Sequence, residues 1–221
     1  MIPVVEHHSH VQHELLGEPH QSVLPTQNVV AVGMPVGTVR DPLLPSPTMS
    51  IRCGGNFHPV TRTSFALWCA GRSPMPVETV RAEGIKHTGA PCSEVDTALD
   101  ELIQAGLLRS WSSTSSGNRE LLRSLRIIPT GVGLGSVPHD PEQFRIARDL
   151  ELDNGGGIAF VGGIMYSVWA ASDGACYLDE AVNAVVVSLG INEDDVWQNI
   201  GNDIPGILEI RACYLEVRPN G

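Results

Sequence analysis

The stretch Phe65-Ala66-Leu67-Trp68-Cys69-Ala70 is met again 101 positions later as Tyr166-Ser167-Val168-Trp169-Ala170-Ala171. Self-similarity at a fixed offset is the mark of one structural unit used twice. The register continues downstream: Val77-Glu78 falls on Leu178-Asp179, Glu94-Val95 on Asp195-Val196, Leu99 on Ile200 and Ile103 on Ile204. One residue is then lost, and Gly106-Leu107-Leu108 aligns with Gly206-Ile207-Leu208. A shared tryptophan, shared helix starts and a shared Gly-apolar-Leu exit predict two related units between residues 60 and 218.

Within the first unit, Phe65, Leu67, Trp68 and Ala70 mark a helix ended by Gly71 and the turn Ser73-Pro74-Met75-Pro76. A short second helix is expected from Val77 to Ala82, stopped by Gly84. Ser93-Glu94-Val95-Asp96 reads as an N-cap with acids in the first turn, where the helix dipole favours them. Val95, Leu99, Leu102 and Ile103 follow at helical spacing, and Gly106 closes the helix. Leu107 to Trp111 then predicts a strand, Ser112 to Asn118 a flexible polar loop, and Leu121 to Pro129 a returning strand that ends in Thr130-Gly131. The second unit lacks such a loop between Ile207 and Arg218, so its wing is expected to be short or absent.

This order of three helices, a wing and an "IPTGxG" exit resembles winged helix-turn-helix proteins, bacterial regulators of the MarR or PadR type in flavour. The resemblance covers about 70 residues and bears on fold rather than function. It implies a mainly α fold with small β wings, of the α+β class, as tandem winged-helix-like units behind a flexible N-terminal arm.

Residues 1–57 hold seven of the sixteen prolines and little periodic apolar pattern. Burial there offsets little ordering entropy, which predicts a largely disordered arm with Asn28 to Gly33 as a single strand. Residues 58–135 form the first unit, 136–157 a linker and 158–221 an acidic second unit. The net charge of −11 is uneven, since residues 151–221 hold eleven acids against two arginines. Five scattered cysteines form no Cys-x-x-Cys pair, which argues against a disulfide framework or zinc knuckle and for a reducing, cytoplasmic setting. No secretory signal is visible at Met1-Ile-Pro-Val-Val-Glu. Asn154 to Ser172 is uncharged and near the ~20 residues of a membrane span, but its five glycines favour a buried strand and helix, so no membrane association is expected.

Residues able to carry chemistry are few. His7, His8, His10 and His13 lie in the arm without a rigid frame for selective metal ligation and read as a solvated tail. Thr130 to Gly135 and Asn154 to Gly157 are glycine-rich without the full fingerprint of a dinucleotide or phosphate loop. Cys69 and Cys176 have no histidine nearby in sequence and read as buried thiols. Trp68 and Trp169 read as core anchors. No catalytic residue, metal or cofactor is expected.

The nucleic-acid question turns on the third helix of the first unit, which a winged helix normally lays in the major groove. Its outward positions, Glu94, Asp96, Thr97, Asp100, Glu101 and Gln104, include no cation, and four acids there oppose attraction to phosphates. The wing is the counter-evidence, because Arg109, Arg119, Arg123 and Arg126 flank its loop. Two readings remain open. In one, a DNA-associated transcriptional regulator binds through those arginines, and the second unit supplies dimerisation or partner binding. In the other, a protein-interaction scaffold keeps the shape and offers the acidic face of Glu193, Asp194, Asp195 and Asp203. A third possibility pairs the wing arginines with the acids of the second unit or of a second subunit.

Overall fold

The computed structural model describes residues 27–39, 48–149, 157–172 and 176–217. The chain is an α+β protein in which one arrangement of strands and helices is used twice. In the first unit, β1 (Asn28–Ala31) leads into a meander of β2 (Met34–Val39), β3 (Thr48–Cys53) and β4 (Asn56–Val60). Helices α1 (Arg62–Ala70), α2 (Val77–Thr88) and α3 (Cys92–Gln104) follow, with the two-residue β5 (Met75–Pro76) before α2 and β6 (Leu108–Trp111) at the end. A connector carries a short turn, Ser116–Asn118, and α4 (Arg119–Arg123). The second unit repeats the order: β7 (Leu125–Pro129), the meander β8 (Val132–Val137), β9 (Asp140–Ala147) and β10 (Ile158–Gly162), then α5 (Gly163–Ala171), α6 (Leu178–Leu189), α7 (Glu193–Glu209) and β11 (Cys213–Val217).

The repeat therefore begins earlier than the helices that reveal it. In each unit the strand before the meander pairs antiparallel with the strand after the third helix: Ala31 faces Leu108 and Asn28 faces Trp111, as Pro129 faces Cys213 and Arg126 faces Glu216. Glycines mark the shared corners at an offset of 98. A Cβ on Gly33 would lie 2.7 Å from the Arg52 carbonyl oxygen, and one on Gly131 would lie 2.4 Å from that of Ala147, so only glycine lets the meander fold back this closely. Gly37 and Gly135 have φ of 78° and 79°. Each follows a register shift in the pairing of its meander, from Pro35 to Gly37 and from Gly133 to Gly135.

The structure departs from the expected winged-helix plan at several places. The wing hairpin does not form, because β6 pairs with β1 and β7 with β11. Val29 and Val30 are fully buried, so β1 takes the place beside β6 that a wing strand would hold. Residues 119–123 are helical, and the preceding loop is closed on the buried Asn118: its Oδ1 accepts from Ser112 N at 2.7 Å, and its Nδ2 donates to the Ser112 and Thr114 carbonyls. Residues 125–135 consequently belong to the second unit rather than the first, and 136–147 form its meander rather than a linker. The expected arm holds four strands among its described residues, with Ile51 fully buried; the histidine tract at 7–13 lies outside the described residues.

Smaller differences have equally local causes. Gly84 does not stop α2; it lies where α1 crosses, and a Cβ there would sit 2.4 Å from Leu67 Cδ2. Ser93 lies inside α3, whose cap position is Pro91. Gly206 is interior to α7, and the true counterpart of Gly106 is Arg211. The two helix exits share one hydrogen-bond pattern, Leu107 N to Leu102 O at 2.9 Å and Ala212 N to Ile207 O at 3.1 Å. The offset grows from 101 to 105 because α7 runs about one turn longer than α3.

The helices bury the residues whose spacing announces them. Val95, Ala98, Leu99 and Leu102 of α3 are buried, as are Val196, Ile200, Ile204 and Ile207 of α7. Trp68 is fully buried and donates its indole N–H to the Val32 carbonyl at 3.0 Å, which ties α1 to the end of β1. Trp169 is only half-buried and packs at the edge of the core. The apolar stretch 157–172 is β10 followed by α5, and no helix of the described residues is long and apolar enough to cross a membrane.

The units meet along β11, which lies against β2 and β3. Gly33 N donates to the Leu215 carbonyl at 2.6 Å. Glu216 is fully buried there and accepts from Arg52 Nε at 3.1 Å and from Arg126 Nε at 2.8 Å. A carboxylate in this position is tolerable only because both cations reach it.

Candidate functional site

Helix α4 sets Arg119 and Arg123 four residues apart, on one face, and that face meets the first turn of α7. Arg119 donates to Glu193 at 2.8 Å and to Asp194 at 2.5 Å, and Arg123 donates to Glu193 at 2.8 Å. Asn192 caps α7 by accepting from Asp194 N at 2.8 Å, which fixes the turn that carries both acids. One turn further on, Trp197 Nε1 donates to Glu193 at 2.9 Å, and its ring lies 5.9 and 5.7 Å from the Arg119 and Arg123 guanidinium carbons. The Trp197 donor, then Arg119 and Arg123, hold the Glu193 carboxyl down at about 2. Glu193 and Asp194 in turn raise the Arg119 guanidinium above its ordinary value.

The four arginines expected on a wing therefore do not converge on one surface. Arg119 and Arg123 neutralise α7, Arg126 neutralises Glu216 in the seam between the units, and Arg109 lies apart, its Nε donating to the Gly106 carbonyl at 3.2 Å. The four acids are divided in the same way. Glu193 and Asp194 are in the arginine network, and Asp195 is exposed beside them. Asp203 accepts the Gly162 N–H at 2.9 Å and ties α7 to the start of α5; burial pushes its carboxyl up, against that bond. The pairing with second-unit acids is thus the arrangement the structure contains for Arg119, Arg123 and Arg126. The i, i+4 spacing of Arg119 and Arg123 suits a helix face and a strand face alike, so the chain alone did not signal it.

Some basic residues of the first unit are also engaged. Arg81 pairs with Asp96 of α3 at 2.5 Å, and Lys86 and His87 both reach Glu83 at 3.0 Å. Thr63 Oγ1 donates to Glu94 at 2.6 Å, which binds the start of α3 to α1.

A surface that charge patterning did not reveal lies on α6. Glu83, Lys86 and His87 of α2 correspond, at the offset of 101, to Ala184, Val187 and Ser188 of α6. The ion-paired face of one unit is thus an uncharged face in the other, and it is open: Val187 is 83% exposed, and Ala184 and Ser188 are exposed beside it. Its signal was the run Ala181 to Ile191, eleven residues without a charge on a helix that already buries Leu178, Ala181, Val182 and Val185. Phe57 on β4 and Phe160 on β10, each on an edge strand of its meander, are also exposed. Comparison with protein-family models, with curated proteins and with solved structures gives no match for this chain.

Proposed function

We propose that the protein is a non-enzymatic scaffold that holds another protein on the open face of α6. The observation that carries this reading is the contrast between α2 and α6, the same element of the repeat with its ionic face replaced by Ala184, Val187 and Ser188. A β-branched side chain left 83% exposed on the uncharged C-terminal half of a helix favours burial against a partner, and exposed apolar surface is a common mark of such sites. The second unit, residues 125–217, holds four arginines against fourteen acids. A partner that lays an apolar helix face on α6 and flanks it with lysine or arginine fits both properties.

The DNA-regulator reading loses its main support. It relied on arginines available to phosphates, and Arg119, Arg123 and Arg126 are paired with Glu193, Asp194 and Glu216.

A photo-crosslinking residue placed at Val187 of the full chain, in its source cells, tests the proposal. The expected result is a discrete adduct with a second protein, joined through an apolar segment flanked by basic residues, and no such adduct from the same label at Lys86. Equal labelling from both positions, or an adduct only between two copies of this chain, would overturn it. A titration with random duplex DNA between ~50 and ~200 mM salt, the range in which phosphate contacts weaken most visibly, should show no binding; salt-sensitive binding would restore the regulator.

A further inference from the structure

Arg211 stands where a side chain is unfavourable. Its φ is 61°, and among the described residues it is the one non-glycine with positive φ; the same exit in the first unit is Gly106 with φ of 69°. For an L-residue this conformation costs roughly 1–2 kcal/mol. Strain of this sort persists where the surrounding structure imposes it and clusters at functional positions.

Arg211 lines a small cavity on the seam between the units, together with Ala31, Trp68, Arg72, Leu208 and Tyr214. Trp68 and Tyr214 stack with ring centroids 6.4 Å apart and planes 16° from parallel. The Arg72 guanidinium lies over both rings, at 5.1 and 5.9 Å. Its Nε is buried without a hydrogen-bond partner, and among the described residues neither Arg72 nor Arg211 has a counter-ion. Both charges also act on the Cys69 thiol, which burial pushes up and the two arginines, Arg72 first, pull back. In a chain of net charge −11, two neighbouring cations without acids are a local excess that the rest of the molecule does not neutralise.

We infer that Arg72 and Arg211 form an oxyanion site that takes a phosphate group. Each arginine follows a helix end and offsets its negative dipole, and the positive φ of Arg211 comes with the helix exit it shares with Gly106; neither accounts for the charged side chain kept at that strained position nor for the buried, unpartnered Nε of Arg72. The cavity holds about 10 Å³, near the room one water-sized group needs. One oxygen of the ligand enters and the remainder stays outside, against the guanidinium planes. Two cations match a group carrying about −1.5 to −2 charge near pH 7, whereas a carboxylate would neutralise only one. Guanidinium groups suit this role because their planar donors pair with phosphate oxygens in a fixed fork. The inference does not depend on the α6 proposal.

The experiment is thermal unfolding of the full chain in sodium phosphate and in sodium chloride at matched ionic strength, with phenyl phosphate as a second probe. Phosphate should raise Tm beyond chloride. Arg211→Gly, which copies Gly106, should remove that increment while its Tm in chloride equals or exceeds that of the natural chain. Arg72→Gln should remove it as well, and Arg109→Ala should keep it. A larger increment with phenyl phosphate identifies a phosphate monoester as the ligand class, and an equal one identifies free phosphate. No increment in the natural chain, or an undiminished increment in Arg211→Gly, overturns the site.

Discussion

The two units share a backbone plan and almost no surface. Residues 28–111 carry seven cations and seven acids, residues 125–217 four arginines and fourteen acids. What they hold in common is where packing leaves no choice: the corner glycines Gly33 and Gly131, the bulge glycines Gly37 and Gly135, the buried isoleucines Ile51 and Ile146, and the apolar stripes of the third helices. The difference teaches that the repeated interior is set by sterics, while each outer face is set by what lies against it. In the second unit that is the connector, whose short turn lies on α7 and whose Arg119 and Arg123 reach its acids, while α6 keeps an open face around Val187.

The sharpest test compares the equivalent strand pairs at the ends of the two sheets. Asn28 faces Trp111 in the first unit, and Arg126 faces Glu216 in the second. Trp111→Ala should cost about 3–5 kcal/mol, the usual loss for a buried tryptophan. Glu216→Gln should cost about 3 kcal/mol, because Arg52 and Arg126 then lose their buried countercharge. Both are read by urea denaturation. A Glu216→Gln chain within ~0.5 kcal/mol of the natural one, the range of a neutral surface change, would show that the seam does not depend on this carboxylate.

The third helices offer a smaller effect. Asp100 of α3 is exposed, but its counterpart Gly201 is buried under the connector, where a Cβ would lie 2.7 Å from Ser115 Cβ and 2.9 Å from Ser115 Cα. Alanine gains about 1 kcal/mol of helix propensity over glycine, but overpacking against backbone costs about 1–3 kcal/mol. Gly201→Ala should therefore lower Tm, and Asp100→Ala should leave it nearly unchanged. A stabilised Gly201→Ala chain would mean that the connector yields and is not part of the second unit's packing.

The smallest effect is the pH dependence of the tie between α4 and α7. The Glu193 carboxyl lies at about 2 in the folded chain against an ordinary 4.5. A depressed carboxyl stabilises fully above its unfolded value, so this contribution is complete above pH 4.5 and is lost as pH falls from there toward 2. The group is well exposed, which keeps the effect modest. In an Arg119→Ala, Arg123→Ala chain the acid-unfolding curve should flatten over that window, as followed by circular dichroism. An unchanged curve would sever Glu193 from the arginines.

What the amino-acid sequence determined by itself is the pair of three-helix cores and the fact of their repetition. Helical periodicity, capping acids and the tryptophan at a fixed place in each first helix are local signals, complete within a few turns of chain. The sequence also contained the corner glycines, but at an offset of 98 rather than 101, because loops of different length separate strands from helices. Which strand pairs with which was decided only in three dimensions. Leu108 to Trp111 is as good a partner for Leu125 to Pro129 as for Asn28 to Ala31 by alternation alone, and the hydrogen bonds that settle it join residues about 80 positions apart. The fate of the arginines follows from the same choice: once β7 joins β11, α4 is carried onto α7, and the charges that looked free along the chain meet their acids across it.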